Sequence, residues 1–359
     1  MKSDFKPFPV GTVFNPVNKL IHKPELKYRK ITILYPSRLN AMALDPGKIT
    51  SNKNMVFTAG EVVFTTSIFK KVNISITGGE DEIVISERSP RQILIKHAVK
   101  LMQKALEQTH SLEIDVEDPN KIDHIGLGSS SGLIACVACA INELYGKPID
   151  KADLLQYLAQ NHGEEIQNDS LHLMPVQCLG GSAATGLYEG GLIIIAGKNR
   201  VISTMTIDEN YKIVIGIPND FVPRDSSALL NEEIKVFDSI VDCSKKYSKE
   251  VAYRMIHEFL PAMEEHDLKT IGNLIYDYRF KMGSVEFCSY TYKKLPELAR
   301  KLKIVKDRFA EIFSISSVGP SFFAITKHPD ETKERFLKNG LRVVATDVSN
   351  TGYKVVLKK

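Results

Sequence analysis

The amino-acid sequence predicts an α+β protein of two domains. Before residue 90, apolar and polar residues alternate in several short stretches, which is typical of a mostly antiparallel sheet. A glycine- and serine-rich segment then leads directly into an apolar helix. Beyond residue 246, helical spacing alternates with short strands, which predicts a second sheet covered by helices on one side. We therefore expect one domain over residues 1–225 and another over residues 226–359.

The first domain is predicted to begin with an irregular arm, because residues 1–28 contain four prolines and little periodicity. Ser89 and Pro90 are typical of a helix start, and an apolar stripe follows them. Asp150 is predicted to cap a later helix that ends near residue 162, and residues 180–186 are predicted to form a second glycine-rich loop. The predicted strands span residues 30–34, 55–57, 61–65, 71–77, 82–85, 112–116, 190–196 and 212–218.

The second domain is predicted to follow a polar linker at residues 219–227. From residue 246, apolar residues recur at helical spacing to about residue 278, which predicts two consecutive helices. The remaining predicted elements are a short helix opened by Pro296, a helix over residues 331–338, and strands over residues 341–345 and 353–357.

Residues 124–132, His-Ile-Gly-Leu-Gly-Ser-Ser-Ser-Gly, predict a phosphate-binding loop. The two central glycines allow successive backbone N–H groups to point at an anion, and the serines add hydroxyl donors. The helix that follows also favours phosphate, through its unpaired N–H groups and positive dipole end. The alternative is an ordinary turn that starts a buried helix, since the P-loop and Rossmann patterns are both absent. The predicted nucleotide-binding residues are Gly126, Leu127, Gly128, Ser129, Ser130, Ser131 and Gly132.

The composition is that of an ordinary water-soluble protein, with 43% hydrophobic and 25% charged residues. The net charge of +4 is small and dispersed, which argues against nucleic acid as a partner. No apolar run approaches the roughly 20 residues that span a bilayer, and no signal-peptide core is present, so we expect a cytoplasmic protein without membrane contact. Five cysteines suit reduced thiols, and Cys136 and Cys139 are expected to pack in a helix core.

Three separated segments carry a resemblance to a known superfamily. They are residues 35–40 (Tyr-Pro-Ser-Arg-Leu-Asn), residues 126–132 and residues 316–325 (Ser-Ser-Val-Gly-Pro-Ser-Phe-Phe-Ala-Ile). In this order they resemble the three motifs of the GHMP superfamily, which includes galactokinase, homoserine kinase and mevalonate kinase. The resemblance implies the GHMP kinase fold, with an N-terminal domain like ribosomal protein S5 and a ferredoxin-like C-terminal domain. It also implies ATP and Mg²⁺, a small anionic substrate, and a chain that could form a homodimer.

The resemblance assigns roles to individual residues. The resemblance implies Mg²⁺ on Ser130 or Ser131 with Glu164 or Glu165, and such a set is sufficient because Mg²⁺ needs only one or two protein oxygens beside phosphate and water. The alternative for the two glutamates is a solvated helix end. Arg38 falls at a position where a guanidinium grips phosphate or carboxylate, and a surface arginine is the alternative. The expected substrate contacts are Arg38, Asn40, Gly181, Ser182, Thr185 and Gly319, and the expected catalytic residues are Arg38, Asp45 and Ser131.

One departure from the family pattern concerns the catalytic acid. Many members use an aspartate in a Ser-Gly-x-x-Asp context, whereas residues 185–189 of this chain are Thr-Gly-Leu-Tyr-Glu. Asp45 and Asp169 are the candidates to replace that aspartate, although Asp45 is also explained as the first residue of an Asp-Pro-Gly turn. His124 and His162 are expected to pack or to cap helices rather than to catalyse.

The sequence around the motifs resembles an archaeal branch of the superfamily. That branch contains β-ribofuranosylaminobenzene 5′-phosphate synthase and mevalonate 3-phosphate 5-kinase. The resemblance implies an ATP-dependent kinase that phosphorylates a hydroxyl of a small anionic metabolite, with mevalonate 3-phosphate as the specific candidate. The alternative is phosphoribosyl transfer from phosphoribosyl pyrophosphate to a 4-aminobenzoate-type acid, which the missing aspartate favours. A third hypothesis is a sensor that binds ligand without turnover.

Overall fold

The computed structural model describes residues 24–48, 59–80, 82–118, 125–176 and 178–359. Most of the predicted N-terminal arm, the strand predicted over residues 55–57, and His124 lie outside the described residues. Strands and helices are mixed throughout, which confirms the α+β class. No helix in these five ranges is both long and apolar enough to cross a membrane.

The strands of the described residues are, in chain order, β1 (Lys30–Ala43), β2 (Glu61–Glu80), β3 (Ile83–Ile85), β4 (His110–Glu117), β5 (Gly163–Ile166), β6 (Asp169–Pro175), β7 (Leu192–Ala196), β8 (Arg200–Met205), β9 (Lys212–Pro218), β10 (Ile312–Ile315), β11 (Phe322–Thr326), β12 (Leu341–Asp347) and β13 (Lys354–Lys358). The α-helices are α1 (Gln92–Leu106), α2 (Ser129–Leu144), α3 (Lys151–Gln160), α4 (Gly181–Leu187), α5 (Ser226–Arg254), α6 (Leu260–Glu264), α7 (Leu268–Phe280), α8 (Ser284–Phe287), α9 (Leu295–Lys301), α10 (Lys303–Arg308) and α11 (Pro329–Lys338).

The larger sheet is built around the long antiparallel pair β1 and β2. Its strand order is β13-β1-β2-β4-β3, with β7 on the other part of β2 and β8 beside β7. Leu39 of the first motif lies opposite Phe64, and Tyr35 lies opposite Lys70. Strand β1 pairs with residues 61–65 and again with residues 69–75, with a register shift between them, and the strand is continuous, so the two strands predicted over residues 61–65 and 71–77 are one strand, β2.

Helix α2 is the central helix of the first core. It contacts α1, β1 and β2, and nearly all of its side chains are buried. Cys136 and Cys139 are fully buried there, so the expected core packing of both thiols is confirmed. Burial raises the pKa of Cys136 to about 12, so this thiol stays protonated at neutral pH.

The second sheet has the order β10-β11-β9-β12, and β9 pairs antiparallel with both of its neighbours. Its strand β9 comes from residues that precede the expected boundary at 225/226, whereas β13 returns to the larger sheet from the end of the chain. The two sheets therefore exchange strands across that boundary, which itself remains a prediction. Strand β10 of the second sheet also contacts β1, which carries the first sequence motif.

Two local predictions are wrong. Residues 226–245, expected to include the end of a linker and no helix, belong to the long helix α5, whose residues Leu230, Phe237 and Ile240 pack in one buried cluster. Residues 180–186, predicted as a loop, largely form the short helix α4. Glu164 and Glu165 lie in strand β5, after helix α3 has ended at Gln160, so the alternative of a solvated helix end does not describe them.

Candidate active site

The phosphate loop has a backbone conformation that requires its glycines. Gly126 and Gly128 have φ values of 87° and 68°, in the left-handed region that side chains disfavour. A Cβ atom on Gly128 would also overlap the hydroxyl of Ser182. Helix α2 begins at the next residue, Ser129, so the unpaired N–H groups of its first turn adjoin the loop. The loop therefore opens onto a helix N-terminus, as the sequence predicted.

The third sequence motif fixes the position of this loop. Ser316 donates its hydroxyl to the carbonyl oxygen of Gly126 over 2.6 Å, and Ser321 donates to that of Ile125 over 2.5 Å. The N–H of Asn40, in the first motif, donates to the Ser316 hydroxyl over 3.1 Å. Hydrogen bonds therefore join three motifs that are far apart in the sequence.

The loop lines a chamber of about 170 Å³, which we call the phosphate chamber. Arg38 enters it from β1 and donates one guanidinium N–H to the carbonyl oxygen of Gly126 over 3.1 Å. The Nε atom of Arg38 is buried without a hydrogen-bond partner among the described residues, which leaves a donor available to a ligand. Other predicted residues that line this chamber are Gly128, Ser129, Ser130, Ser131 and Gly319.

Two residues predicted to contact nucleotide do not line the phosphate chamber. The side chain of Leu127 is buried in the core that joins the two sheets. Gly132 lies within α2, where an added Cβ would come no closer than 3.9 Å to the side chain of Lys70. Leu127 therefore serves core packing, and Gly132 is a helical position outside the chamber wall.

Glu164 is the acidic group of the phosphate chamber. Its carboxylate accepts hydrogen bonds from the hydroxyls of Ser130, at 2.7 Å, and Ser226, at 2.9 Å, and lies 2.9 Å from the Nε2 atom of His162. Burial alone would raise the pKa of Glu164, but His162, the positive charge of Arg91 and the Ser130 hydroxyl lower it to about 2. The carboxylate is therefore ionised across the physiological pH range.

The Ser130 and Glu164 pair fits the requirements of a magnesium site. Both are hard oxygen donors, they touch each other, and they face the chamber in which phosphate would lie. Among the described residues there is no group of three or more histidine, cysteine, aspartate or glutamate side chains suited to a metal. Mg²⁺ does not require such a group, because phosphate oxygens and water complete its coordination.

Glu165 does not join this pair. Its carboxylate accepts a 2.7 Å hydrogen bond from the Nε atom of Arg91, and it does not line the phosphate chamber. Arg91 precedes α1, has a φ of 46°, and also donates to the Ser129 hydroxyl over 3.1 Å. This arginine, which the sequence analysis missed, therefore brings a positive charge to the first turn of α2.

A second chamber of about 280 Å³ adjoins the first, and we call it the acceptor chamber. Arg38, Ser131 and Glu164 line both chambers. The Ser131 hydroxyl donates to that of Ser182 over 2.8 Å, which connects the phosphate loop to the first turn of α4. The predicted residues Asn40, Gly181 and Ser182 line this chamber, and so does His162, which was expected only to pack or cap.

Glu61 supplies a carboxylate to the acceptor chamber from strand β2. It is 2% exposed, accepts the N–H of Gly181 over 2.5 Å, and accepts a second hydrogen bond from the side-chain amide of Asn40. The Asn40 side-chain oxygen in turn accepts from Arg279 over 3.1 Å. Glu61 therefore lies at the N-terminus of α4, where the helix dipole favours a negative charge. No sequence motif indicated it.

The candidate replacements for the missing aspartate lie elsewhere. Asp45, a described residue, lines neither the phosphate chamber nor the acceptor chamber. Burial raises the pKa of its carboxyl, and a hydrogen bond with Ser244 of α5 opposes the rise. Asp169 lies in the β5–β6 hairpin, where it accepts hydrogen bonds from two backbone N–H groups and lies 2.9 Å from His172. Thr185 is fully buried, with its hydroxyl donating to the carbonyl oxygen of Ser182.

A larger groove, of about 850 Å³, runs between α5 and residues 280–293. It shares only Phe287 with the acceptor chamber and contains no residue of the phosphate loop. Size alone therefore does not identify the site, which is indicated instead by the convergence of the three motifs.

Comparison with known proteins agrees with this architecture. Residues 93–181 match the family model described as the GHMP kinases N terminal domain. The structure of homoserine kinase from Cytophaga hutchinsonii superposes with a TM-score of 0.59 at 15% identity, covering 94% of this chain and 100% of that chain. Mevalonate pyrophosphate decarboxylase from Streptococcus pyogenes gives 0.59 at 14% identity, covering 91% and 98%.

A further solved structure, L. major mevalonate kinase in complex with R-mevalonate, gives a TM-score of 0.56 at 11% identity and covers 92% of this chain and 99% of that chain. No curated protein was found to match the chain. At these identities the structural likeness establishes the fold and not the reaction. Residues 93–181 therefore resemble a GHMP kinase N-terminal domain, and the chain has the GHMP kinase fold.

Proposed function

We propose that this protein is an ATP-dependent kinase that transfers the γ-phosphoryl group to a hydroxyl of a small metabolite. The observation that carries the proposal is the junction of two chambers at Arg38, Ser131 and Glu164. One chamber has the donors that a triphosphate needs, and the other has the size and mixed lining of a small-molecule site. The junction is where a phosphoryl group would pass between them. Positioning and electrostatics supply most of the catalysis of such a reaction.

In this proposal the phosphate chamber holds the triphosphate. The loop N–H groups at the start of α2 and the buried Nε atom of Arg38 are the donors, and Arg91 adds positive charge beside Ser129. Ser130 and Glu164 would hold Mg²⁺. When bound, that ion neutralises charge on the phosphate oxygens.

Glu61 is our candidate for the proton acceptor. The acceptor hydroxyl oxygen forms a bond to the γ-phosphorus, the bond from that phosphorus to the bridging oxygen breaks, and ADP leaves with that oxygen. The hydroxyl proton passes to the Glu61 carboxylate, which lines the acceptor chamber. Asp45, the residue expected in this role, lines neither chamber.

Mevalonate 3-phosphate is the named acceptor to test first. It follows from the resemblance to mevalonate 3-phosphate 5-kinase, and Arg38 at the junction supports it, because a guanidinium can bind a phosphate or carboxylate of the acceptor. Phosphoribosyl transfer is the second candidate, since the same loop could bind a pyrophosphate group. The carboxylates of Glu61 and Glu164 favour the kinase.

The proposal is tested by ligand-induced thermal shifts of the purified protein. We expect Mg-ATP to raise the melting temperature, a much smaller rise with ATP and EDTA, and little effect of phosphoribosyl pyrophosphate. Stabilisation by phosphoribosyl pyrophosphate in the absence of any response to Mg-ATP would contradict the kinase and support the second candidate.

A further inference from the structure

Helix α4 contributes its first turn to the wall of the acceptor chamber, yet its own side chains do little to hold it in place. It is seven residues long, and from Gly181 to Gly186 no side chain is larger than that of threonine. A helix of this length is unstable on its own, and small side chains make few packing contacts. The position of Ser182, which lines the chamber, therefore depends on contacts from other elements.

The hydroxyl of Tyr35 makes one of these contacts. Tyr35 belongs to β1 and is fully buried, and its hydroxyl donates to the carbonyl oxygens of Ser182, at 2.8 Å, and Ala183, at 3.2 Å. The ring is itself held by Tyr353, on which it stacks with centroids 6.2 Å apart and planes 10° from parallel. Gly186 allows this approach, because a Cβ atom there would lie 2.1 Å from the Tyr35 ring.

The first turn of α4 in turn meets the phosphate loop. The Ser182 hydroxyl accepts that of Ser131, which lines both chambers, over 2.8 Å. Thr185 also donates to the Ser182 carbonyl, over 3.3 Å, but it belongs to the same helix and would move with it. Tyr35 is therefore the contact that ties this carbonyl to the larger sheet.

We infer that Tyr35 is a positioning residue of the reaction, whose hydroxyl sets the place of Ser182 between the acceptor chamber and the phosphate loop. This inference rests on the proposed kinase function. A misplacement of about 1 Å can lower the rate of a reaction by about 10²-fold. A neutral hydrogen bond, by contrast, makes only a modest net contribution to folding. Loss of the Tyr35 hydroxyl should therefore affect turnover much more than stability.

The test variant is Tyr35→Phe, which removes the hydroxyl and keeps the ring. The matched control is Tyr157→Phe, because Tyr157 is also fully buried and donates to a backbone carbonyl over 2.8 Å, that of Leu101 in α1. Tyr157 lines neither chamber. Melting temperatures and steady-state kinetics with Mg-ATP and mevalonate 3-phosphate are measured for both variants, and Tyr35→Phe is also combined with Ser182→Ala.

Both single variants should melt about 1–4 °C below the wild type, as for the loss of one buried hydrogen bond. Tyr35→Phe should lower kcat/KM by about 10- to 100-fold, and Tyr157→Phe by less than about twofold. In the Ser182→Ala background, Tyr35→Phe should cost less than about threefold, because the hydroxyl that Tyr35 positions is already absent. Equal losses of kcat/KM in Tyr35→Phe and Tyr157→Phe would overturn the inference. A loss from Tyr35→Phe that is as large with Ser182→Ala as without it would overturn it too.

If mevalonate 3-phosphate is not turned over, crystal structures of the wild type and of Tyr35→Phe decide. The inference predicts that the hydroxyls of Ser131 and Ser182, which lie 2.8 Å apart in the wild-type chain, separate beyond about 3.5 Å in the variant. It is overturned when that contact is unchanged. Failure of the kinase proposal itself is recognised separately, by the absence of any response to Mg-ATP.

Discussion

Ser130 donates its hydroxyl to the Glu164 carboxylate over 2.7 Å, which joins the first turn of α2 to strand β5. The two residues are 34 positions apart in the sequence and meet at the wall of the phosphate chamber. Neighbouring Glu165 is directed to Arg91 instead. This contrast between two adjacent glutamates gives the metal assignment a direct test.

Glu164→Gln should lower kcat by about 10²- to 10³-fold, because it removes a charge that would act on the transferring phosphoryl group. The isosteric amide can still accept the Ser130 hydroxyl, so the fold should persist. When kcat is measured against Mg²⁺ concentration, Glu164→Gln should need more Mg²⁺ than the wild type. Glu165→Gln is the matched control and should lose less kcat. Equal losses of kcat in Glu164→Gln and Glu165→Gln would contradict the assignment of Mg²⁺ to Glu164 rather than Glu165.

Glu164 should not produce the acid limb of the pH–rate profile above about pH 4.5. Its pKa is lowered from 4.5 to about 2, so its carboxylate remains ionised there. A lowered folded-state pKa stabilises the native protein above the unfolded value, and this contribution is lost as pH falls from 4.5 towards 2. The check is the pH–rate profile of the wild type, in which an acid limb above pH 4.5 should be traced to another group.

Glu61→Gln should lower kcat by about 10²- to 10⁴-fold if Glu61 accepts the proton. KM should change less, since the amide keeps much of the contact with Asn40. Asp45→Asn is the control, because Asp45 was the residue expected from the sequence and lines neither chamber. Steady-state kinetics of the two variants distinguish the residues, and a large effect confined to Asp45→Asn would refute the assignment of Glu61.

Gly128→Ala should destabilise the phosphate loop, and Gly132→Ala should not. Alanine at residue 128 would have to adopt a φ near 68°, at a cost of about 1–2 kcal/mol, and its Cβ would overlap Ser182. Residue 132 is helical and has room for a Cβ, so alanine there should stabilise α2 by about 0.5–1 kcal/mol. Chemical denaturation and the Mg-ATP thermal shift measure both effects. Loss of Mg-ATP binding in Gly132→Ala would contradict this prediction and indicate that residue 132 belongs to the nucleotide-binding site.

His97 should make the protein less stable as the pH falls from 6.5 to 4. Burial is the main cause that lowers its pKa from 6.5 to about 4, while its Nε2 atom lies 2.9 Å from the carbonyl oxygen of Asn161. In this interval the unfolded chain binds a proton that the folded chain does not. This lowers the free energy of unfolding by up to roughly 3 kcal/mol. The free energy of unfolding should therefore fall less steeply in His97→Gln. His328→Gln, at an exposed site, should keep the wild-type slope.

The sequence predicted the parts of the site that are local in the chain. A glycine- and serine-rich segment followed by an apolar helix can be recognised in the sequence. Residues 126–131 have the predicted loop-to-helix arrangement, with left-handed φ values at Gly126 and Gly128. The sequence did not predict the partners that come from other strands and helices. Glu61 and Glu233 are acidic residues in a strand and a polar helix, and such residues are usually exposed. Only the tertiary contacts place them in a chamber.

Two further errors have similar physical causes. The first half of helix α5 has an apolar stripe at helical spacing, which includes Leu230, Phe237 and Ile240, but the polar residues interspersed with it hid the stripe from the prediction. Gly181 and Gly186 suggested a loop, yet they lie in α4, where side chains would collide with Glu61 and Tyr35 respectively. Glycine therefore permits close helix packing here rather than a turn. The glycine-rich composition of residues 180–186 favours a turn and does not indicate close helix packing.

A paired turnover assay tests the central claim most directly. One arm supplies Mg-ATP with mevalonate 3-phosphate, mevalonate and L-homoserine, and the other supplies phosphoribosyl pyrophosphate with 4-aminobenzoate. The kinase account predicts ADP and a phosphorylated alcohol in the first arm, with activity lost in Glu164→Gln, and no reaction in the second. Pyrophosphate release in the second arm, with no ADP from any acceptor in the first, would contradict it.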